Sequence, residues 1–95
     1  MALALTIPGV VESQELHSVH AEPDGVSFTL TFDFSDTATH LMQAVDRGER
    51  IELVVLTTDV AIFALDDVYV TSASYGAGDP AIFQTSLQAG AVRRV

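Results

Sequence analysis

The hydrophobic period changes sharply in the first half of the chain, and this change constrains the fold more than any other feature. From Phe28 to Phe34 every second residue is Phe or Leu, and Thr or Asp lies between them. A period of two is typical of a β-strand with one buried face. The sequence therefore predicts a strand over residues 26–34.

A helical period follows at once. The next apolar residues fall at positions i, i+3, i+4 and i+7: Ala38, Leu41, Met42 and Val45. This spacing predicts a short helix over residues 36–47, with Leu41, Met42 and Val45 on the face that packs against the core. Ser35 or Asp36 can cap its start, and Gly48 can end it in a left-handed conformation.

The rest of the chain reads as β-strands separated by turns. Strands are predicted over residues 2–7, 10–21, 50–58, 60–75 and 81–95. The sequence Glu22-Pro23-Asp24-Gly25 is a strong turn signal, because proline fixes φ and glycine adopts positive φ without strain. We expect a mainly β fold, an antiparallel β-barrel or two-sheet sandwich with one short α-helix, in a single domain over residues 1–95.

Two irregularities are expected in the last strands. The acidic pair Asp66-Asp67 interrupts a long apolar segment and indicates a bulge or an exposed bend. Beyond it, the alternation predicts that Val68, Val70, Ser72 and Ser74 share one face. Gly90 indicates a second bend, in the last strand.

Composition excludes some classes of partner and favours self-association. The net charge is -9 and no lysine is present, so binding to nucleic acid or to an anionic membrane is not expected. The absence of cysteine excludes disulfides and thiolate metal sites, and it fits a cytoplasmic location. Hydrophobic residues make up 48% of the chain, a high share for a small domain, which favours burial against other subunits.

No arrangement of residues predicts catalysis, a cofactor or a metal. His17 and His20 are three apart, and on a strand such residues point to opposite faces. Asp66, Asp67 and Asp79 lack the spacing of a calcium loop. The loop Gly76-Ala77-Gly78 lacks the lysine and following helix of a phosphate loop. We therefore expect no catalytic, cofactor-binding or metal-binding residues.

The ordered series of segments from Phe28 to Val95 resembles the hemolysin-coregulated protein (Hcp) family, the inner-tube protein of type VI secretion, which is similar in fold to bacteriophage tail-tube proteins. The features that carry the resemblance follow the family's order and spacing. They are Phe32 and Phe34, Leu41, the segments of residues 48–51, 54–56, 65–72 and 76–78, and Ser86 with Leu87. The chain departs from the family in being shorter, with a compressed N-terminal third in which residues 23–25 replace a long loop.

The resemblance implies a structural role. It predicts a subunit of a homo-oligomeric ring, hexameric in the family, that stacks into a secretion or tail tube in a type VI system, another contractile injection system or a phage-like particle. The implied partners are other copies of the chain, other secretion or tail components, and protein cargo. The resemblance also implies export as part of an injection apparatus.

Candidate surfaces for this role come from the charged and polar residues. Thr29, Thr31 and Glu52 are candidates for a polar inner face of the tube, although they could equally face bulk solvent on a monomer. Arg93 and Arg94 are candidates for the subunit interface, because arginines are the only counter-charges in an acidic chain. The rival hypothesis is a monomeric or dimeric β-domain that serves as a binding or adaptor module.

Overall fold

The computed structural model describes residues 3–95, and this part of the chain folds into seven β-strands and one α-helix. In chain order they are β1 (Ala4–Ile7), β2 (Val11–Glu15), β3 (Ser18–Ala21), β4 (Ser27–Asp33), α1 (Asp36–Arg47), β5 (Arg50–Thr57), β6 (Ile62–Tyr75) and β7 (Ile82–Arg94). The strands form one antiparallel sheet in the order β2-β1-β5-β6-β7-β4-β3. This architecture confirms the predicted mainly β fold with a single short helix.

The two edge strands of the sheet are joined by only two residues, Leu16 and His17. The backbone N–H of Leu16 donates to the carbonyl of Leu3 at 2.8 Å, beside β1. The backbone N–H of His17 donates to the carbonyl of Thr31 at 2.7 Å, on β4. This corner therefore ties the two ends of the curled sheet together and closes it as a barrel.

The predicted strand over residues 10–21 was wrong in one respect, because the segment forms two strands with different partners. β2 pairs with β1, and β3 pairs with β4. Leu16 at the corner between them is buried, with only 5% of its surface exposed. The segment looked irregular as a single strand because its inward side changes at this corner.

Other predicted boundaries agree closely with the structure. The strands predicted over residues 26–34, 50–58 and 81–95 correspond to β4, β5 and β7, each within one residue at either end. The first strand was predicted from Ala2, which lies outside the described residues, and β1 begins at Ala4. The predicted turn joins β3 to β4, and Gly25 within it has a φ of 78°.

Helix α1 begins and ends at the predicted residues. Ser35 occupies the N-cap position, but its hydroxyl donates to the Gln14 side chain at 2.7 Å and not to the helix backbone. Gly48 follows the last turn in a left-handed conformation with φ of 62°. That conformation lets the N–H of Glu49 reach the carbonyl of Ala44 at 3.0 Å, which satisfies a terminal carbonyl of the helix.

The buried face of α1 is centred on Leu41, which has no exposed surface. Ala38 and Ala44 are also buried, whereas Met42 and Val45 are partly buried and pack against the edge of the core. The small alanines let the helix lie close to the sheet. The core beneath contains Phe32 and Phe83, whose ring centroids lie 5.1 Å apart, together with aliphatic residues from every strand except β2 and β3.

The inward face of β6 changes at the acidic pair. Leu65 and Val68 are both fully buried, although residues three apart on a regular strand point to opposite faces. Between them Asp67 has a φ of 54°, in the left-handed region. The pairing register with β5 and β7 is the same on both sides of Asp67. The predicted irregularity is therefore a local rotation of the strand, without an inserted residue.

The register shift in β6 lies farther along, at Thr71. Val70 pairs with Leu87, but Ser72 pairs with Ser86, so Thr71 is the extra residue of a β-bulge. The prediction that Val68, Val70, Ser72 and Ser74 share a face was wrong, because the bulge turns both serines outward. The hydroxyl of buried Thr85 donates to the carbonyl of Ser72 at 2.8 Å and satisfies the disrupted backbone.

Leu41→Ala should lower the free energy of unfolding by about 2–5 kcal/mol, because it leaves a cavity beneath α1 that the surrounding side chains fill only in part. Urea denaturation of both proteins measures the difference. The control is Gln43→Ala on the exposed side of the same helix, which should change stability by less than about 0.5 kcal/mol. Equal effects of the two substitutions would show that the helix is packed differently.

Asp67→Val should be about 1–2 kcal/mol less stable than Asp67→Asn, because a β-branched residue is strained at positive φ, whereas Asn tolerates it. Both variants lose the carboxylate, so their difference isolates the backbone. The opposite order is expected at Ser74, an exposed residue of the same strand, where Val has the higher strand propensity. If Val equals or exceeds Asn at position 67, the rotation of β6 does not depend on the left-handed conformation.

Candidate assembly surfaces

A face rich in hydroxyl groups lies on the outside of four neighbouring strands, β3, β4, β7 and β6. Two rows of aligned residues cross these strands, and we call them the hydroxyl face: His20, Thr29, Ser86 and Ser72 in one row, and Ser18, Thr31, Gln84 and Ser74 in the other. The side chains lie outward because their strand neighbours, such as Phe28, Leu30 and Leu87, are buried.

The hydroxyl face contains no carboxylate, arginine or lysine, although the chain has 13 acidic residues. Neighbouring hydroxyls contact each other across the strands: Ser18 bonds to Thr31, and Thr29 lies 3.4 Å from Ser86. Such cross-strand pairs stabilise the sheet without charge. The two rows of the hydroxyl face are thus polar and free of carboxylates, and the next outward residue of β4 beyond Thr31 is the acidic Asp33.

Thr29 and Thr31, two candidates for an inner face, lie together on the hydroxyl face and are half-buried. β7 and β6 also contribute to the hydroxyl face, β7 through Gln84 and Ser86 and β6 through Ser72 and Ser74. The sequence alone did not predict this contribution. The alternation of buried Phe83, Thr85 and Leu87 with these polar residues was the available signal.

Glu52, the third candidate for an inner face, lies elsewhere. It is on β5, which is separated from β4 by β6 and β7 in the sheet. It is exposed and lines a cleft of about 500 Å³ together with Pro8 and His40. The structure therefore does not bring Glu52 together with Thr29 and Thr31.

Of the two candidate interface residues, Arg93 is engaged within its own chain. Its guanidinium donates two hydrogen bonds to the carboxylate of Asp66, from Nε at 2.7 Å and from an Nη at 3.0 Å. This fork-like contact lowers the pKa of Asp66, chiefly through the hydrogen bond from Arg93, and raises the pKa of Arg93 for the same reason. Arg93 is thus already paired across β6 and β7.

Arg94 has a different environment. Its Nη donates to the backbone carbonyl of Val60 at 3.3 Å. Within residues 3–95, the other arginines all lie within 4.0 Å of a carboxylate, whereas Arg94 does not. Of the C-terminal pair, Arg94 is therefore the residue whose charge can be used by a neighbouring molecule.

The histidines are not grouped around a common point. His17 lies at the corner before β3, with its Nε2 at 2.7 Å from Asp33, while His20 lies 3.8 Å from Glu22. In the described part of the chain, no group of three or more His, Asp or Glu residues is close enough to hold a metal ion. No helix in that same part is both long enough and apolar enough to cross a membrane.

An apolar cleft of about 570 Å³ opens at one end of the barrel. We call it the mouth cleft. It is lined mainly by apolar side chains from β3, β4, β6 and β7, from the residue before β1 and from the β5–β6 turn: Leu3, Val19, Ala21, Phe28, Val60, Phe63 and Val92. Val60 projects at its rim, with 80% of its surface exposed. Nothing in the sequence pattern marked this cleft, because its lining residues come from six separate segments.

Comparison with known proteins shows similarity of structure where sequence comparison finds none. No protein-family model matches the sequence, and no curated protein matches it. In contrast, the fold matches the crystal structure of Hcp2 from Salmonella typhimurium with a TM-score of 0.87, covering 99% of this chain and 85% of that one at 12% identity. Hcp1 from the same organism matches with a TM-score of 0.78 at 14% identity, covering 97% and 84%.

A third similar structure is described as a type VI secretion system effector from Yersinia pestis. It matches with a TM-score of 0.79 at 10% identity and covers 98% of this chain and 96% of that one. These matches confirm that the chain has an Hcp-like fold, as the ordered series of segments predicted. At these low identities the likeness concerns the fold.

The Asp66–Arg93 pair should stabilise the fold only while Asp66 is ionised. In the folded state the pKa of Asp66 lies below its usual 3.8, so the stabilisation is fully present above that value and is lost as the pH falls through the lowered pKa. A double-mutant cycle of Asp66→Asn and Arg93→Gln should therefore show favourable coupling at pH 7 and none well below pH 3.8.

The control cycle pairs Asp66→Asn with Arg94→Gln, which should show no coupling at either pH because Arg94 contacts a carbonyl. Coupling in the first cycle should also fall with added salt, since Arg93 is largely exposed and Asp66 is partly exposed. A coupling that persists unchanged into acid would contradict the assignment to an ion pair.

Proposed function

We propose that the chain is a structural subunit of a homo-oligomeric ring, hexameric by analogy with Hcp, and that such rings stack into a secretion or tail tube. The hydroxyl face is the observation that carries the proposal, with the Hcp-like fold in support. In this arrangement the hydroxyl face lines the channel and most of the acidic residues lie away from the axis, with Asp33 at one end of the lining.

The charge distribution gives a physical reason for this orientation. Subunits with a net charge of -9 repel one another, and a ring brings its innermost surfaces closest together. An uncharged face at the axis minimises that repulsion where it would be strongest. A lining of hydroxyl and amide groups also binds water and favours neither sign of charge in a protein cargo.

The strand edges provide a means of joining subunits. β2 and β3 each pair with one neighbouring strand within the chain, so each has backbone groups available on its other side. Pairing of edges between subunits would extend the sheet around a ring and satisfy those groups. Both strands are short, of 5 and 4 residues, which limits unspecific edge pairing outside the assembly.

A monomeric or dimeric binding module is the second candidate, and the mouth cleft is the observation that favours it. Its volume of about 570 Å³ lies within the usual range of ligand pockets, and its lining is mostly apolar. In both candidates the role is binding or assembly without catalysis. The two differ in solution mass, which the following experiment measures.

The purified chain should assemble into a closed species several times heavier than the 10.1 kDa monomer, measured by light scattering and native mass spectrometry at micromolar concentration. Gln84→Glu places a carboxylate on the hydroxyl face in almost the same volume. It should weaken assembly, and added salt should restore it, because the new charges repel across the channel.

Gln43→Glu is the matched control, since it makes the same change on the exposed side of α1. It adds the same net charge and should leave assembly unchanged. A wild-type protein that remains a 10.1 kDa monomer would overturn the ring. Equal effects of the two substitutions would show that the hydroxyl face does not line the channel.

A further inference from the structure

Of the eight large apolar side chains that are exposed within residues 3–95, six fall into groups at the two ends of the barrel, and Val10 and Tyr69 lie outside them. Phe34, Tyr75 and Ile82 form one group, which we call the aromatic cluster; they have 37%, 56% and 47% of their surfaces exposed. The rings of Phe34 and Tyr75 meet edge to face, with centroids 4.9 Å apart. At the other end lies the mouth cleft, with exposed Val60 at its rim and Ile62 and Val95 beside it.

The strand directions place these two surfaces at opposite ends. β4 leaves the mouth cleft at Phe28 and reaches the aromatic cluster at Phe34, about 20 Å away at the usual rise per residue of a strand. The β6–β7 pair gives the same result. At one end of this pair, the backbone carbonyl of Ile62 accepts a hydrogen bond from the N–H of Val95. At the other end, Tyr75 pairs with Phe83, which is next to Ile82.

The two surfaces match in chemistry. One is a partly exposed group of two aromatic rings and a branched aliphatic chain, in which the ring centroid of Phe34 lies 6.1 Å from that of buried Phe83. The other is a concave apolar site of about 570 Å³, large enough to receive side chains of that size. Each exposes apolar surface that a free subunit would have to leave in water.

A cation lies beside the mouth cleft, and a carboxylate lies in the loop beside the aromatic cluster. Arg94, which lacks a carboxylate partner within residues 3–95, contacts the carbonyl of Val60 at the rim of the mouth cleft. At the other end, Asp79 lies in the loop between β6 and β7, next to the aromatic cluster, and no arginine of the described chain pairs with it. Asp59 at the rim of the cleft is acidic and would repel a facing carboxylate. Attraction between the two surfaces therefore depends on Arg94.

We propose that the aromatic cluster of one copy inserts into the mouth cleft of the next, and that this end-to-end contact joins successive rings. The proposal rests on the proposed ring and identifies the surfaces by which rings stack. Because the contacting surfaces are different, the contact does not close on itself after two copies, and each added ring presents a new cluster and a new cleft. Arg94 of one copy then faces Asp79 of the other.

Two variants, each with one surface disabled, test the contact. Val60→Glu places a charge at the rim of the mouth cleft and leaves the aromatic cluster intact. Tyr75→Ser removes the more exposed ring of the cluster and leaves the cleft intact. Both sites are exposed, so the fold should persist, which circular dichroism and thermal melting verify. Val10→Ser is the control, since Val10 is 54% exposed and lies outside both surfaces.

Sedimentation velocity over a range of concentrations gives the decisive result. Wild type and Val10→Ser should form species heavier than one ring, whereas each of the two variants should stop at a single ring. An equimolar mixture of the two variants should form double rings and nothing longer, because only one complementary pair of surfaces remains. A second arm uses Arg94→Asp and Asp79→Arg, which should each weaken stacking and should restore it when combined in one chain.

The outcomes separate this contact from the ring itself. If the wild type forms no closed ring, the proposed function fails. If rings form but Val60→Glu and Tyr75→Ser stack as the wild type does, or if the wild type never exceeds one ring, the end-to-end contact is refuted and the ring stands. A mixture that yields no double rings would also refute the pairing of these two surfaces.

Discussion

Closure of the sheet at the Leu16–His17 corner is the constraint on which the remaining structure depends. A sheet of seven strands in a chain this short must bury its apolar face against itself and one helix. Two adjacent backbone N–H groups at the corner bond to opposite ends of the sheet, at Leu3 and Thr31. Those bonds hold β1 and β4 around a common core, so the outward side of β4 becomes a continuous surface with β7 and β6.

The position of charge follows from this closure. Residues on the outward side of the four strands have close cross-strand neighbours, and like charges directly opposite one another would destabilise the sheet. The hydroxyl face avoids that cost, while the carboxylates lie in turns, on the helix, on β2 and β5, at the end of β4, and at the point where the backbone of β6 rotates. There Asp66 and Asp67 contact Arg93 and Arg50, so local ion pairs offset part of the acidic charge. In the part of the chain that the structure describes, the same distribution leaves Arg94 without a carboxylate partner at the end of the barrel.

Sequence reasoning succeeded where a pattern was local and continuous. The alternation before Phe34 and the spacing around Leu41 gave β4 and α1 almost to the residue, since each element's buried side is determined by its own period. It failed where the inward side changes within a segment. The corner at Leu16 and the bulge at Thr71 depend on which strands are neighbours, and the sequence pattern does not specify that.

The candidate surfaces show the same division. Thr29 and Thr31 could be recognised as outward residues of one strand, but the hydroxyl face exists only because Ser86 and Ser72 are aligned beside Thr29 by the register of three pairs of strands. Glu52 was grouped with the threonines on polarity alone, and the order of strands separates them. The partner of Arg93 could not be foreseen for a related reason, because Asp66 lies 27 residues away and reaches it only across paired strands.

The low identity to proteins of the same fold is consistent with this dependence on pattern. At 12% identity and a TM-score of 0.87, the two proteins share the fold with few identical residues, so the requirements of the fold are patterns and not particular residues. Many residue combinations satisfy those requirements, because cores tolerate substitution when volume and pattern are kept. Surfaces are under no such constraint from the fold. The hydroxyl face lowers repulsion between neighbouring strands and, in the proposed assembly, between subunits as well. The exposed apolar surfaces at the two ends of the barrel are explained by the proposed stacking and not by the fold.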